Sequence, residues 1–160
     1  MVPQKTIEKI TRLLKGRAFL SLATADTTCR PNAVPKFFLK FDAPCLYLID
    51  YTIARTVDNL RSNPRASIAL MDLEALEGYR LSGPVELVEN GPEFQALSKE
   101  INKKLLKLSA DRVLEAVKTG KKSEHFELEL PDKFIAIKFK IEDVVKIGPR
   151  GDLYRENEGA

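Results

Sequence analysis

Thr52, Arg55 and Thr56 bring a helix cap, a guanidinium and a hydroxyl within one turn of chain. A helix start offers unpaired N–H groups and a positive dipole end, and an arginine beside it can clamp two oxygens of a phosphate. Thr52 stands where an N-cap belongs, and the Thr56 hydroxyl adds a further donor. In isolation the three residues read better as a capped, solvated surface helix, so the neighbouring chain has to decide. No other stretch pairs a nucleophile with a base. Ser21, Ser67 and Ser82 have no histidine in their sequence context, and the one histidine, His125, stands beside Phe126 at the start of an expected strand. Cys29 and Cys45 form no CxxC, and with one histidine they leave no zinc or iron–sulfur site, so no metal is expected.

The elements that must carry these residues follow from periodicity. Ile7, Ile10, Leu13 and Leu14 predict a helix over 4–15, stopped by Gly16. Apolar runs predict strands over 18–24, 32–41 and 45–50, with turns at Asp26-Thr27-Thr28 and Asp42-Ala43-Pro44. A short helix over 52–60 breaks that rhythm and closes at Asn63-Pro64. Strands return over 65–71 and 78–88, where Tyr79, Leu81, Val85 and Leu87 share a face with Gly83 between them.

Phe94, Leu97, Ile101, Leu105 and Leu108 predict a helix over 93–108, and a second is expected over 111–119, stopped by Gly120. Alternation predicts strands over 126–130 and 135–141. Strands in quick succession, with helices inserted rather than alternating, argue for a small antiparallel barrel of about seven strands, since closure removes sheet edges.

The bulk composition narrows the classes. A chain of 160 residues with an ordinary apolar fraction fits one domain, expected over 1–149, followed by a loose tail over 150–160. The net charge of +3 is spread among acids, and Lys103, Lys104 and Lys107 fall on a helix face, so no nucleic-acid partner is expected. No apolar run approaches the roughly 20 residues that span a bilayer, and the first residues lack a signal-peptide core. A cytoplasmic protein with free thiols and no membrane association is expected.

Three pieces of the 22–88 stretch decide the reading of Arg55. They are Thr24-Ala25-x-x-x-x-Arg30-Pro31, Asn59-Leu60-x-x-Asn63-Pro64-Arg65 and Gly78-x-x-x-x-Gly83-x-x-Glu86-Leu87-Val88. In this order the chain resembles the FMN-binding split-barrel family that includes pyridoxamine 5′-phosphate oxidase. The resemblance covers more than half the sequence. It implies a mainly β, α+β fold, an antiparallel split β-barrel of roughly six to seven strands. It also implies FMN as cofactor, with its phosphate at Arg55 and Thr56; some relatives carry lysine in place of Thr56, a departure expected to weaken binding modestly.

Backbone groups of Val34, Pro35, Lys36 and Phe37 would run along the flavin, with Lys36 directed at the ring or ribityl. A plain exposed strand lysine is an equal reading. Ile49 and Asp50 fall where the family contacts ribityl and phosphate, although a carboxylate there is repulsive unless it accepts from hydroxyls, and a turn-forming Asp50 is a strong rival. Gly78 and Ser82 would border the ring.

A homodimer with the flavin at its interface is implied as well. Val34 and Phe38 point one way along the second strand while Phe37, Leu39 and Phe41 point the other, so both faces look buried. A helix of the same chain or a second subunit can cover the outer one, and the resemblance implies the subunit, with Tyr79, Arg80 or the Arg150-Gly151-Asp152 tail as donors. The expected function is FMN-dependent oxidation or reduction of a small molecule, with hydride or electron transfer belonging to the cofactor. The alternatives are a deazaflavin- or haem-binding relative on the same scaffold, or a non-catalytic flavin-binding or interaction module. The tail lacks the arginine-rich pattern of a true pyridoxamine phosphate oxidase, so that substrate is not expected.

Overall fold

The computed structural model describes residues 2–120 and 133–156. Its elements are α1 (Gln4–Leu14), β1 (Phe19–Ala25), β2 (Pro31–Asp42), β3 (Cys45–Asp50), α2 (Arg55–Ser62), β4 (Arg65–Asp72), β5 (Glu77–Val88), α3 (Gly91–Thr119), β6 (Ile135–Lys140), β7 (Asp143–Ile147) and β8 (Leu153–Arg155). The ladder runs β4–β1–β2–β3–β6–β5, and pairing of β4 with β5 closes it into a six-stranded antiparallel barrel. β7 and β8 extend outward from β5.

Alternation explains the closure. Leu20, Leu22 and Thr24 turn inward from β1 while Phe19, Ser21 and Ala23 turn out. The inward set meets Ile68, Leu81, Leu46, Leu48, Ile137 and Phe139 in one core, joined by Ile10 and Leu14 of α1 and Leu60 of α2. Each such side chain contributes about 1.5–3 kcal/mol by leaving water. A second core lies outside the barrel, where Leu97, Ile101 and Leu105 of α3 cover Phe37, Leu39, Tyr47, Ile49 and Ala136. The middle of β2 (Lys36 to Leu39), β3 and most of β6 are therefore buried by one chain. The outer face read from Phe37 and Leu39 is closed by α3 and needs no second subunit.

Several expectations change. A β-bulge between Phe38 and Lys40 reverses the alternation, so Phe41 joins the inner core rather than the face of Phe37 and Leu39. The two helices expected over 93–108 and 111–119 are one, because Ser109-Ala110-Asp111 holds neither Gly nor Pro to interrupt it, and it ends at Gly120 in the left-handed region. β7 and β8 went unforeseen because each is short, five and three residues. β8 lies in the segment expected as a loose tail and pairs Leu153 with Ile147 and Arg155 with Val145. The strand expected over 126–130 lies outside the described residues.

Candidate functional site: an open strand edge beside a helix head

β2 is paired along its whole first half on one side only. Pro31 to Phe37 match Ala25 to Phe19, whereas pairing with β3 begins at Phe37 opposite Ile49. The Phe38 N–H donates to the Ala18 carbonyl and the Asp26 N–H to the Arg30 carbonyl. Antiparallel alternation then commits the backbone groups of Asn32, Val34 and Lys36 to β1 and turns those of Pro31, Ala33 and Pro35 outward. Two of these three have no N–H to offer. The open edge therefore presents three carbonyls and the single donor of Ala33, with prolines in the positions where an edge strand tolerates them.

The turn from β3 into α2 faces this edge. Asp50, fully buried at the end of β3, accepts at Oδ1 from the Thr52 N–H (2.9 Å), the Thr52 hydroxyl (2.7 Å) and the Ile53 N–H (3.3 Å). Its Oδ2 lies 2.7 Å from the Lys36 ammonium, which also donates to the Thr52 hydroxyl at 3.4 Å. Burial alone pushes the Asp50 carboxyl up, but Lys36 and the Thr52 donors outweigh it and hold the group below its usual range. Asp50 is thus the turn former, and Thr52 is not the helix cap expected from the sequence. Thr52 spends its hydroxyl on Asp50, Ile53 takes φ 43°, and the cap position falls to Ala54 with no side-chain bond.

Val57 and Asp58 donate to the Ala54 carbonyl, so the amides of Arg55 and Thr56 are the first-turn donors without an intrahelical acceptor. The Arg55 side chain is exposed and makes no hydrogen bond or ion pair among the described residues. Thr56 is buried and accepts from Asn32 Nδ2 at 3.1 Å, which leaves its own O–H to donate. That bond pins the helix head to the open half of β2. Asn59 pins the next turn by donating to the Thr24 hydroxyl at 3.1 Å.

The remaining residues predicted for the site are placed as follows. Val34 is half-buried and Pro35 exposed on the open half of β2. The side chains of Phe37 and Ile49 lie beneath α3 in the outer core. Gly78 and Ser82 lie on β5, separated from β2 by β4 and β1, and are not brought to the cluster within one chain. Ser82 is engaged with the Ser67 hydroxyl at 2.8 Å.

Asn32, Ala33 and Tyr51 went unread in the sequence. Asn32 carried a signal, a polar side chain four residues past the turn at Asp26-Thr27-Thr28; Ala33 carried none, because its role comes from the ladder. Tyr51 and Phe19 flank Phe37 at ring distances of 6.2 and 5.8 Å, and burial pushes the Tyr51 hydroxyl up to about 12. His125 lies outside the described residues. Among those described, no cluster of His, Cys, Asp and Glu can hold a metal, and no helix is long and apolar enough to cross a membrane.

The described residues form a closed six-stranded antiparallel barrel with two added strands and three helices, which is the split-barrel α+β fold. Residues 6–145 match the pyridoxamine 5′-phosphate oxidase family, and the chain belongs to that family. No curated protein matches the sequence.

Among solved structures, the chain resembles a pyridoxamine 5′-phosphate oxidase-related, FMN-binding protein of Nostoc punctiforme, with 19% identity, 99% of this chain and 93% of that one covered, and a TM-score of 0.59. A heme-binding protein of Mycobacterium smegmatis is similar at 21% identity, over 97% of this chain and 59% of that one, with a TM-score of 0.61. An F420 reductase is similar at 17% identity, over 83% and 93%, with a TM-score of 0.53. At these identities the likeness is one of fold.

Proposed function

We propose that the chain binds FMN between the open half of β2 and the head of α2, and serves as an FMN-dependent oxidoreductase of a small molecule. The observation that carries this reading is an uncommitted arginine, two free helix amides and the Thr56 O–H beside an unpaired strand edge. The donors suit a near-dianionic phosphate. The edge, with one N–H among carbonyls, suits the mixed donors and acceptors of a flavin's pyrimidine end, and Phe19, Pro35 and Tyr51 give an apolar border to a flat ring. When bound, FMN supplies acceptance and return of hydride or single electrons. The protein's part is to hold the phosphate, fix the ring against β2 and keep water from it.

A homodimer belongs to the same proposal. On the outer face Pro35 stands opposite Ser21, and Ala69 opposite Arg80; Met71, Gly78 and Ile147 form a cross-strand row, and Phe19 turns outward from β1. Phe19 and Met71 are each more than half exposed there. A second copy laid on this face would cover them and close the flavin cleft. The two free cysteines fit a reducing, cytoplasmic compartment.

The test is the absorption spectrum of the freshly purified protein, with mass analysis of whatever heat releases. Flavin bands and a mass matching FMN are expected. A haem Soret band, or a colourless protein that does not take up added FMN, overturns the reading.

A further inference from the structure

Asp50 does two separable things with its two oxygens. Oδ1 builds the turn through the amides of Thr52 and Ile53, and Oδ2 meets the Lys36 ammonium. The turn needs only an acceptor, which an uncharged amide oxygen would supply equally well. The pair with Lys36 needs the charge. Replacing both partners by neutral groups of similar volume is close to break-even, whereas removing the carboxylate alone leaves a buried ammonium uncompensated and costs some stability.

What the pair changes is the electrostatics of the cleft. Lys36 stands on the unpaired half of β2, and its ammonium reaches the Thr52 hydroxyl at the start of the turn that leads to Arg55. Side-chain exposures of 3% for Lys36 and 0% for Asp50 keep water from screening either charge.

We propose that Asp50 is a counter-ion that withholds Lys36 from anion binding, so that the head of α2 offers Arg55, among the described residues, as its uncompensated cation and takes a single phosphate group. Asp50 is a specificity-determining, positioning residue that acts through Lys36 and touches no ligand itself. The proposal rests on the reading that the head of α2 receives a phosphate. Removing the carboxylate charge leaves a net cation within the low-dielectric cleft, and affinity for a phosphate there should rise by about tenfold.

The experiment titrates FMN, riboflavin and inorganic phosphate against the wild type, Asp50→Asn, Lys36→Met and the double variant. Asp50→Asn is expected to bind FMN and phosphate about tenfold more tightly with riboflavin unchanged, and the double variant to return to the wild-type level. Unchanged FMN and phosphate affinities in Asp50→Asn, or a gain that survives in the double variant, overturn the proposal. If no form binds FMN or riboflavin, the flavin reading fails by itself. Phosphate then decides: a phosphate-dependent rise in Tm in Asp50→Asn that the double variant lacks upholds the counter-ion role, and its absence ends it. Should Asp50→Asn not fold, Asp50→Thr keeps an oxygen for the turn and is read in the same way.

Discussion

β2 and β5 are both twelve residues long, and each has a six-residue neighbour, β3 or β6, that covers only part of one edge. The two strands solve this differently. On β5 the edge is shared: β6 pairs with Val85 to Val88 and β7 with Gly78 to Ser82. Gly83 marks the handover, and there the Glu142 N–H donates to the Ser82 carbonyl at 3.0 Å. On β2 nothing among the described residues takes over from β3, and the first half ends in the proline-bearing edge beside α2. One seam is sealed by a strand and the other is left open facing an unpaired arginine. An opening of this kind is built rather than neglected, because the same chain closes the equivalent gap elsewhere.

The sealed seam should be the more fragile to sequence. A Cβ at Gly83 would lie 1.9 Å from the Lys140 carbonyl oxygen and 3.1 Å from the Glu142 nitrogen, both backbone atoms that cannot step aside. Gly83→Ala is expected to cost about 3 kcal/mol in urea unfolding, the upper range for overpacking. A loss of a few tenths would mean that the handover between β6 and β7 relaxes freely and that the seam is not tight.

The open seam should show the reverse pattern, with function lost and stability kept. Arg55 is exposed and unpaired, so Arg55→Ala is expected to leave Tm within about a degree, as surface substitutions away from special features do. FMN affinity should fall by about 2 kcal/mol, a loss typical of a charge-assisted hydrogen bond, while riboflavin affinity stays unchanged. Equal losses for both ligands would take the phosphate away from the head of α2.

The comparison also shows what the sequence could and could not disclose. The existence of β1, read as an apolar run, and the stripe of Leu97, Ile101 and Leu105 were legible, because each follows from a local pattern, whereas the alternation of β1 between core and solvent was not read. The expectation that Arg55 meets a phosphate came only from the motifs around it, and the structure adds that its side chain is exposed and engages no described residue. The cap was misread because Thr52 precedes a helix, as caps do, while the buried carboxylate that claims its hydroxyl sits two residues earlier. The open edge was invisible in principle. Whether Pro31, Ala33 and Pro35 face a neighbour depends on where β3 stops, and that is a fact of register between segments rather than of either segment. The bulge at Phe38 moved Phe41 for the same reason.

Acid should separate the two seams by the smallest but most local effect. The Asp50 carboxyl is held below its usual range in the folded protein, so its contribution to stability is present above the unfolded carboxylate pKa and is lost as pH falls through the folded value. Protonation discharges the partner of Lys36 and weakens the acceptor of the Thr52 and Ile53 amides, which loosens the turn at the open seam. The sealed seam is held by the backbone bond from the Glu142 N–H to the Ser82 carbonyl, and β5 is held on its other edge by the bond from the Val85 N–H to the Pro64 carbonyl; neither bond carries a titrating group. Hydrogen-exchange protection, corrected for the intrinsic rate at each pH, is therefore expected to fall at Thr52 and Ile53 below about pH 4 while Glu142 and Val85 keep theirs. Simultaneous loss at all four amides would mean that acid unfolds the barrel as a whole, and that the Lys36–Asp50 pair has no independent hold on the mouth of the site.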